Sequence, residues 1–88
     1  MSQFQIRFHP KAVRELSKID RIWQTRIKQK IELLSSDPNR IKSGIKTLKG
    51  RYQGLARLRV GIYRVIFRVI DEELVILIVR IANRQELY

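Results

Sequence analysis

Residues 57–70 read RLRVGIYRVIFRVI, a segment that sets Arg57, Arg59, Arg64 and Arg68 among valines, isoleucines and aromatic rings. A guanidinium group stays charged at every working pH, and its planar fork of donors pairs with two phosphate oxygens at once. A lone arginine on a strand reads as a solubility device. Several that converge with no acid between them repel one another, and that is tolerable where an anion binds. From Pro38 to Ile70 the chain has nine bases (Arg40, Lys42, Lys46, Lys49, Arg51, Arg57, Arg59, Arg64, Arg68) and no acid. The chemistry that Arg57, Arg59, Arg64 and the later Arg84 support as a group is phosphate binding.

Other chemistries find no footing. The chain has no glycine-rich phosphate loop, no histidine and carboxylate set at metal-ligand spacing, and no serine or cysteine nucleophile beside a base. No metal or other cofactor is expected. The one histidine, His9, precedes Pro10 at a strand–helix corner and reads as a capping or surface residue. Asp71, Glu72 and Glu73 read as a solvated turn rather than a carboxylate pair. Trp23 falls on a helical apolar stripe, which makes it core rather than a stacking platform.

The elements that position the arginines follow from periodicity. QFQIRF, residues 3–8, alternates polar and apolar and reads as a half-buried strand. Pro10 suits the first position of a helix in which Val13, Leu16 and Ile19 form the apolar stripe. Asp20 is placed to cap a second helix, with Trp23, Ile27, Ile31 and Leu34 at helical spacing. Ser35–Asn39 breaks that pattern, and residues 40–54 read as a basic connection with little regular structure. Three strands are then expected, at about 54–60, 62–70 and 74–82, with turns at Gly61 and at Asp71–Glu73. Because side chains alternate along a strand, Tyr63, Val65, Phe67 and Val69 point one way and Ile62, Arg64, Ile66 and Arg68 the other. Arg57 and Arg59 share a face, and Arg84 has the parity of Arg80. The expected fold is α+β: an N-terminal strand, a helical hairpin and a three-stranded antiparallel sheet, with the helices on one face and the arginines gathered on the other.

Bulk properties agree with such a domain. Eighty-eight residues make one domain, residues 1–88, with a modest core. The longest apolar run, Leu74 to Val79, is too short to span a bilayer, and MSQFQIRFHP lacks the apolar region of a secretory signal. With no cysteine for disulfides, a cytoplasmic protein without membrane contact is expected. Nineteen Lys and Arg against eight Asp and Glu leave a net charge of +11, and the pI is near 11.0. Such a balance favours a polyanion or a tightly bound acidic protein as partner.

Residues 48–88, LKGRYQGLARLRVGIYRVIFRVIDEELVILIVRIANRQELY, resemble the C-terminal half of the RelE toxins of type II toxin–antitoxin pairs, within the RelE/ParE superfamily. The resemblance lies in LKG, then L-x-R-L-R-x-G-x-Y-R-V-I-F, an acidic turn, an apolar strand and R-x-x-x-Y, in that order. PKAVREL and the helix after it resemble the family's N-terminal half more loosely. The resemblance implies the RelE-like fold and a ribosome-dependent endoribonuclease that cuts messenger RNA in the ribosomal A site and inhibits translation. It places catalytic roles at Arg64, Arg84, Tyr88 and Arg57, and RNA-binding roles at Arg59, Lys46, Lys49 and Arg51. It also implies an antitoxin that wraps the toxin with acidic and apolar segments, the toxin being monomeric when free and hetero-oligomeric with its antitoxin. The chain departs from many relatives at Ile62, where they carry an acid, and at Asn83, where they carry a histidine.

Attack of a ribose 2′-hydroxyl on the adjacent phosphate needs a base, stabilisation of the pentavalent phosphate and protonation of the leaving oxygen. Arg64 and Arg84 suit the second task, and Lys49 or Arg57 the third. Tyr88, with a reference pKa of about 10, suits the first only among arginines that favour its phenolate. Two other readings stand beside this one. A ParE-like inhibitor of DNA gyrase acts by contact and has no need of Arg84 together with Tyr88. A non-catalytic RNA-binding relative would be indifferent to Tyr88→Phe.

Overall fold

A computed structural model describes residues 4–83. The first strand, β1 (Gln5–Phe8), turns Ile6 and Phe8 toward the core and exposes Gln5 and Arg7. His9 then caps helix α1 (Pro10–Ser17): its Nδ1 accepts the Lys11 N–H at 3.1 Å, and Pro10 fills the first helical position, where no N–H is needed. The expected stripe holds at Leu16 and at Ile19, just past α1, but not at Val13. Ala12 and Leu16 are buried, whereas Val13 is 51% exposed. Alanine lets the helix lie close to the sheet, and the i, i+4 spacing of Ala12 and Leu16 matches the helical repeat more closely than spacing by three.

Helix α2 (Arg21–Ser36) starts after Asp20, as expected, although the Asp20 side chain makes no capping hydrogen bond. Ile27, Ile31 and Leu34 are buried at spacings of four and three, and Trp23 joins their cluster as a partly buried member. Ser35 Oγ donates to the Phe4 carbonyl and ties the end of α2 to the entry of β1.

The connection expected to lack regular structure contains three short elements. A 3₁₀ segment, Pro38–Gly44, buries Ile41. Strand β2 (Ile45–Thr47) and a single 3₁₀ turn (Gly50–Tyr52) follow. Three residues are too few to display alternation, so β2 owes its existence to pairing with β3 rather than to its own pattern. Strands β3 (Ala56–Val60), β4 (Tyr63–Ile70) and β5 (Val75–Asn83) lie where the periodicity places them, and Asp71–Glu73 form an exposed turn.

The sheet has five strands in the order β1-β5-β4-β3-β2. It is therefore wider than the expected three, with β1 added in parallel to β5 and β2 antiparallel to β3. The α+β class and the packing of both helices on one face are as expected. Strand β5 lies inside the sheet, which explains its apolar character on both faces. The main core joins α1 and α2 to Leu58, Val60, Val65, Phe67, Ile76, Ile78 and Ile81.

The β3–β4 turn depends on Gly61. Its φ of +61° lies in the left-handed region, and a Cβ there would stand 2.3 Å from Cη2 of Trp23. The indole cannot retreat freely, because it packs edge-on against Tyr63 at 5.6 Å and carries Arg26 over its face at 5.0 Å. Gly61→Ala is expected to lower stability by about 2–4 kcal/mol, combining the left-handed penalty with overpacking. Urea unfolding followed by Trp23 fluorescence measures it.

Candidate nucleic-acid interface

Strand register determines which bases meet. Lys46 is paired with Arg57, Arg57 with Ile66, Arg59 with Arg64, and Arg64 with Ala82. Directly paired residues share a face, so Lys46, Arg57, Arg59, Arg64, Ile66 and Ala82 all lie on one side of the sheet. Ile66 and Ala82 form a small buried cluster with Leu48, Leu55 and Val79, separate from the core beneath the helices. The basic residues therefore occupy the face that no helix among the described residues covers, around an apolar floor.

Within this face the bases differ in environment. Arg64, on the inner strand β4, is 8% exposed. Arg57 is half-buried, and its Nε meets no hydrogen-bond partner among the described residues. Arg59 and Lys46 are exposed on β3 and on the edge strand β2. Arg59 and Arg64 are direct cross-strand partners, with Cα atoms about 4.5–5.5 Å apart by sheet geometry. Like charges directly opposite each other in a sheet interact unfavourably.

Lys49 and Arg51 are exposed in the loop that joins β2 to β3, beyond the Thr47–Ala56 pair. They extend the basic strip past the end of the sheet, on the side away from Arg59. Arg68 is exposed two positions beyond Ile66. Arg80, the register partner of Ile66, is not left to solvent as a lone solubility residue would be. Its guanidinium instead donates to Glu15 Oε2 on α1, from Nη2 at 2.7 Å and from Nε at 3.2 Å. Arg84 and Tyr88 lie outside the described residues.

Two features of this region had no usable signal in the sequence. One is the apolar floor, which draws on two strands and the loop between β2 and β3. The other is a bulge: Ile66 pairs with Arg80 but Phe67 with Ile78, so Val79 is an extra residue in β5 and Arg80 keeps the register of Ile66. Among the described residues there is no group of histidine, cysteine or carboxylate side chains that would hold a metal ion, and no helix long and apolar enough to cross a membrane.

Residues 6–88 match the family model described as the ParE toxin of the type II toxin–antitoxin system parDE. The chain belongs to the RelE/ParE superfamily of type II toxins. Its relatives within that superfamily are RelE-like. A protein of Escherichia coli named as a RelE-like toxin is 26% identical over 83 residues, covering 94% of this chain and 85% of that one. A chain of the RelBE2 toxin–antitoxin complex of Mycobacterium tuberculosis superposes with a TM-score of 0.82 at 28% identity, covering 96% of this chain and 94% of the other. A chain of the archaeal RelE–RelB complex of Pyrococcus horikoshii OT3 gives 0.77 at 26% identity, covering 93% and 96%. The protein is a RelE-like toxin of a type II toxin–antitoxin system.

For this toxin, crowding of charge on the open face has a measurable consequence. Arg59→Thr is expected to raise stability by about 0.2–1 kcal/mol in low salt, with the gain fading near 1 M salt. On the reading that this face takes a nucleic-acid backbone, the same substitution is expected to lower the salt slope of binding to a single-stranded RNA probe by about 0.7. Denaturant titrations and fluorescence anisotropy at several salt concentrations measure the two effects.

Proposed function

We propose that this toxin is a ribosome-dependent endoribonuclease that cuts messenger RNA in the A-site codon by attack of a ribose 2′-hydroxyl on the adjacent phosphate. The observation that carries the reading is the pairing of Arg59 with the buried Arg64 on an uncovered face. A guanidinium held by a sheet is ordered before substrate arrives, so little reorganisation is needed as charge grows on the phosphate. Arg64 and Arg84 stabilise that charge. Arg57 has an enclosed Nε–H available to a phosphate or leaving oxygen, and Tyr88 serves as the base. Arg59, Lys46, Lys49 and Arg51 hold the RNA backbone on either side.

No histidine stands among these groups, so acid–base catalysis by the protein alone is weak. The ribosome supplies the rest by holding the message in an in-line geometry, an effect worth orders of magnitude in rate. Free RNA is therefore a poor substrate. Several solved RelE relatives are complexes with RelB antitoxins, and a comparable antitoxin is the natural partner here. An acidic and apolar segment suits a face with five apolar residues on its floor and arginines around them.

Primer extension on a defined message, with the toxin added to programmed ribosomes, tests the proposal. Cuts in the A-site codon are expected to require ribosomes. Arg64→Ala and Arg84→Ala should slow them by about 10²–10³-fold, and Tyr88→Phe by about 10²–10⁴-fold. A wild-type toxin that leaves the message whole overturns the reading, and gyrase supercoiling then becomes the assay.

A further inference from the structure

Strand β1 ends at Phe8, where the chain turns into α1, while β5 continues from its last β1-paired residue, Ile78, to Asn83. Among the described residues, no strand pairs with that edge of β5 over Val79–Asn83. The bulge at Val79 lies within this stretch, and so does Ala82, the partner of Arg64. A bulged strand with an open edge is free to slip or fray, because the ladder that fixes register is missing on one side.

Glu15 of α1 occupies this edge. Its Oε1 accepts the Ile81 N–H at 2.9 Å, while its Oε2 accepts both Arg80 donors. One partly buried carboxylate thus replaces the absent strand at Ile81 and holds the Arg80 guanidinium on the helix side. It is also the one acid of α1, whose charged residues are otherwise Lys11 and Arg14.

We propose that Glu15 is a positioning residue: its carboxylate locks the β5 bulge, and thereby fixes the register of Ala82 against Arg64 and the point from which the chain continues to Arg84. The inference rests on the endoribonuclease reading for its catalytic consequence. The clamp itself is a property of the fold and is measurable without cleavage. Glu15 touches no RNA in this account. Its loss should disturb the geometry of the reacting groups while leaving the exposed phosphate contacts of Arg59 and Lys46 intact.

The test compares wild type, Glu15→Ala, Glu15→Gln and the core variant Ile31→Val, each confirmed folded by its thermal melt. Single-turnover cleavage on programmed ribosomes is measured at saturating and at limiting toxin, and amide hydrogen exchange is measured at Ile81 and Ala82. Glu15→Ala should cut at least 10-fold more slowly at saturation with an unchanged half-saturating concentration, since small misplacements of reacting groups carry rate losses of that order. The Ile81 amide should lose protection. Glu15→Gln keeps an acceptor for Ile81 and should restore that protection and most of the rate. Ile31→Val should leave the saturating rate at the wild-type value.

The proposal is overturned if Glu15→Ala cuts at the wild-type rate, if its loss equals that of Ile31→Val, or if Ile81 stays protected without the carboxylate. Should wild type fail to cut, the endoribonuclease reading falls, and Ile81 exchange alone decides the clamp: lost protection in Glu15→Ala supports it and retained protection overturns it.

Discussion

Arg64 sits nearly buried on an inner strand, directly opposite Arg59, and every other element helps to keep it there. Two arginines in direct cross-strand register set like charges on neighbouring strands, which disfavours the pairing that bears them. They remain in register because β3, β4 and β5 are fastened from below by a continuous apolar core, in which Leu58, Val65 and Ile81 are almost wholly enclosed. Hydrophobic burial on the helix side therefore offsets an unfavourable electrostatic arrangement on the open side. Stability gained under the helices is spent on a charged surface preorganised for an anion.

The two faces are kept distinct by local devices. Gly61 lets β3 turn into β4 under the indole of Trp23, so the hairpin that presents Arg59 and Arg64 is seated against α2. Glu15 does similar work at the opposite edge, where β1 has ended, and it draws Arg80 to the helix side. In a chain of net charge +11, the placement of this acid matters more than the number of acids. Glu15 neutralises a base whose presence among Arg57 and Lys46 would add charge to the open face.

Much of this arrangement was legible in the sequence, because strand alternation is an exact property of the pleat. Parity alone placed Arg57, Arg59 and Arg64 opposite Tyr63, Val65 and Phe67, and the structure agrees. Parity could not show the extra residue at Val79, nor that a carboxylate 65 positions before Arg80 captures its side chain. Strand β2 and the parallel pairing of β1 with β5 were also out of reach. Both are long-range pairings of segments too short to carry a period. Val13 was misplaced because a spacing of three drifts around a helix, whereas Ala12 is too small to register as a core residue by hydropathy. The roles of Arg84 and Tyr88 come from resemblance to the RelE toxins and from no geometry described here.

The chemistry proposed for the arginine face is promotion of attack by a ribose hydroxyl within the message itself. It is tested most directly by programming ribosomes with two messages that differ only in a single 2′-deoxy substitution at the nucleotide whose hydroxyl would attack. The account predicts that the unsubstituted message is cut, leaving a 2′,3′-cyclic phosphate and a free 5′-hydroxyl, and that the deoxy message stays whole at that position. Equal cutting of both messages would contradict it, since the attacking group would then come from water or from the protein.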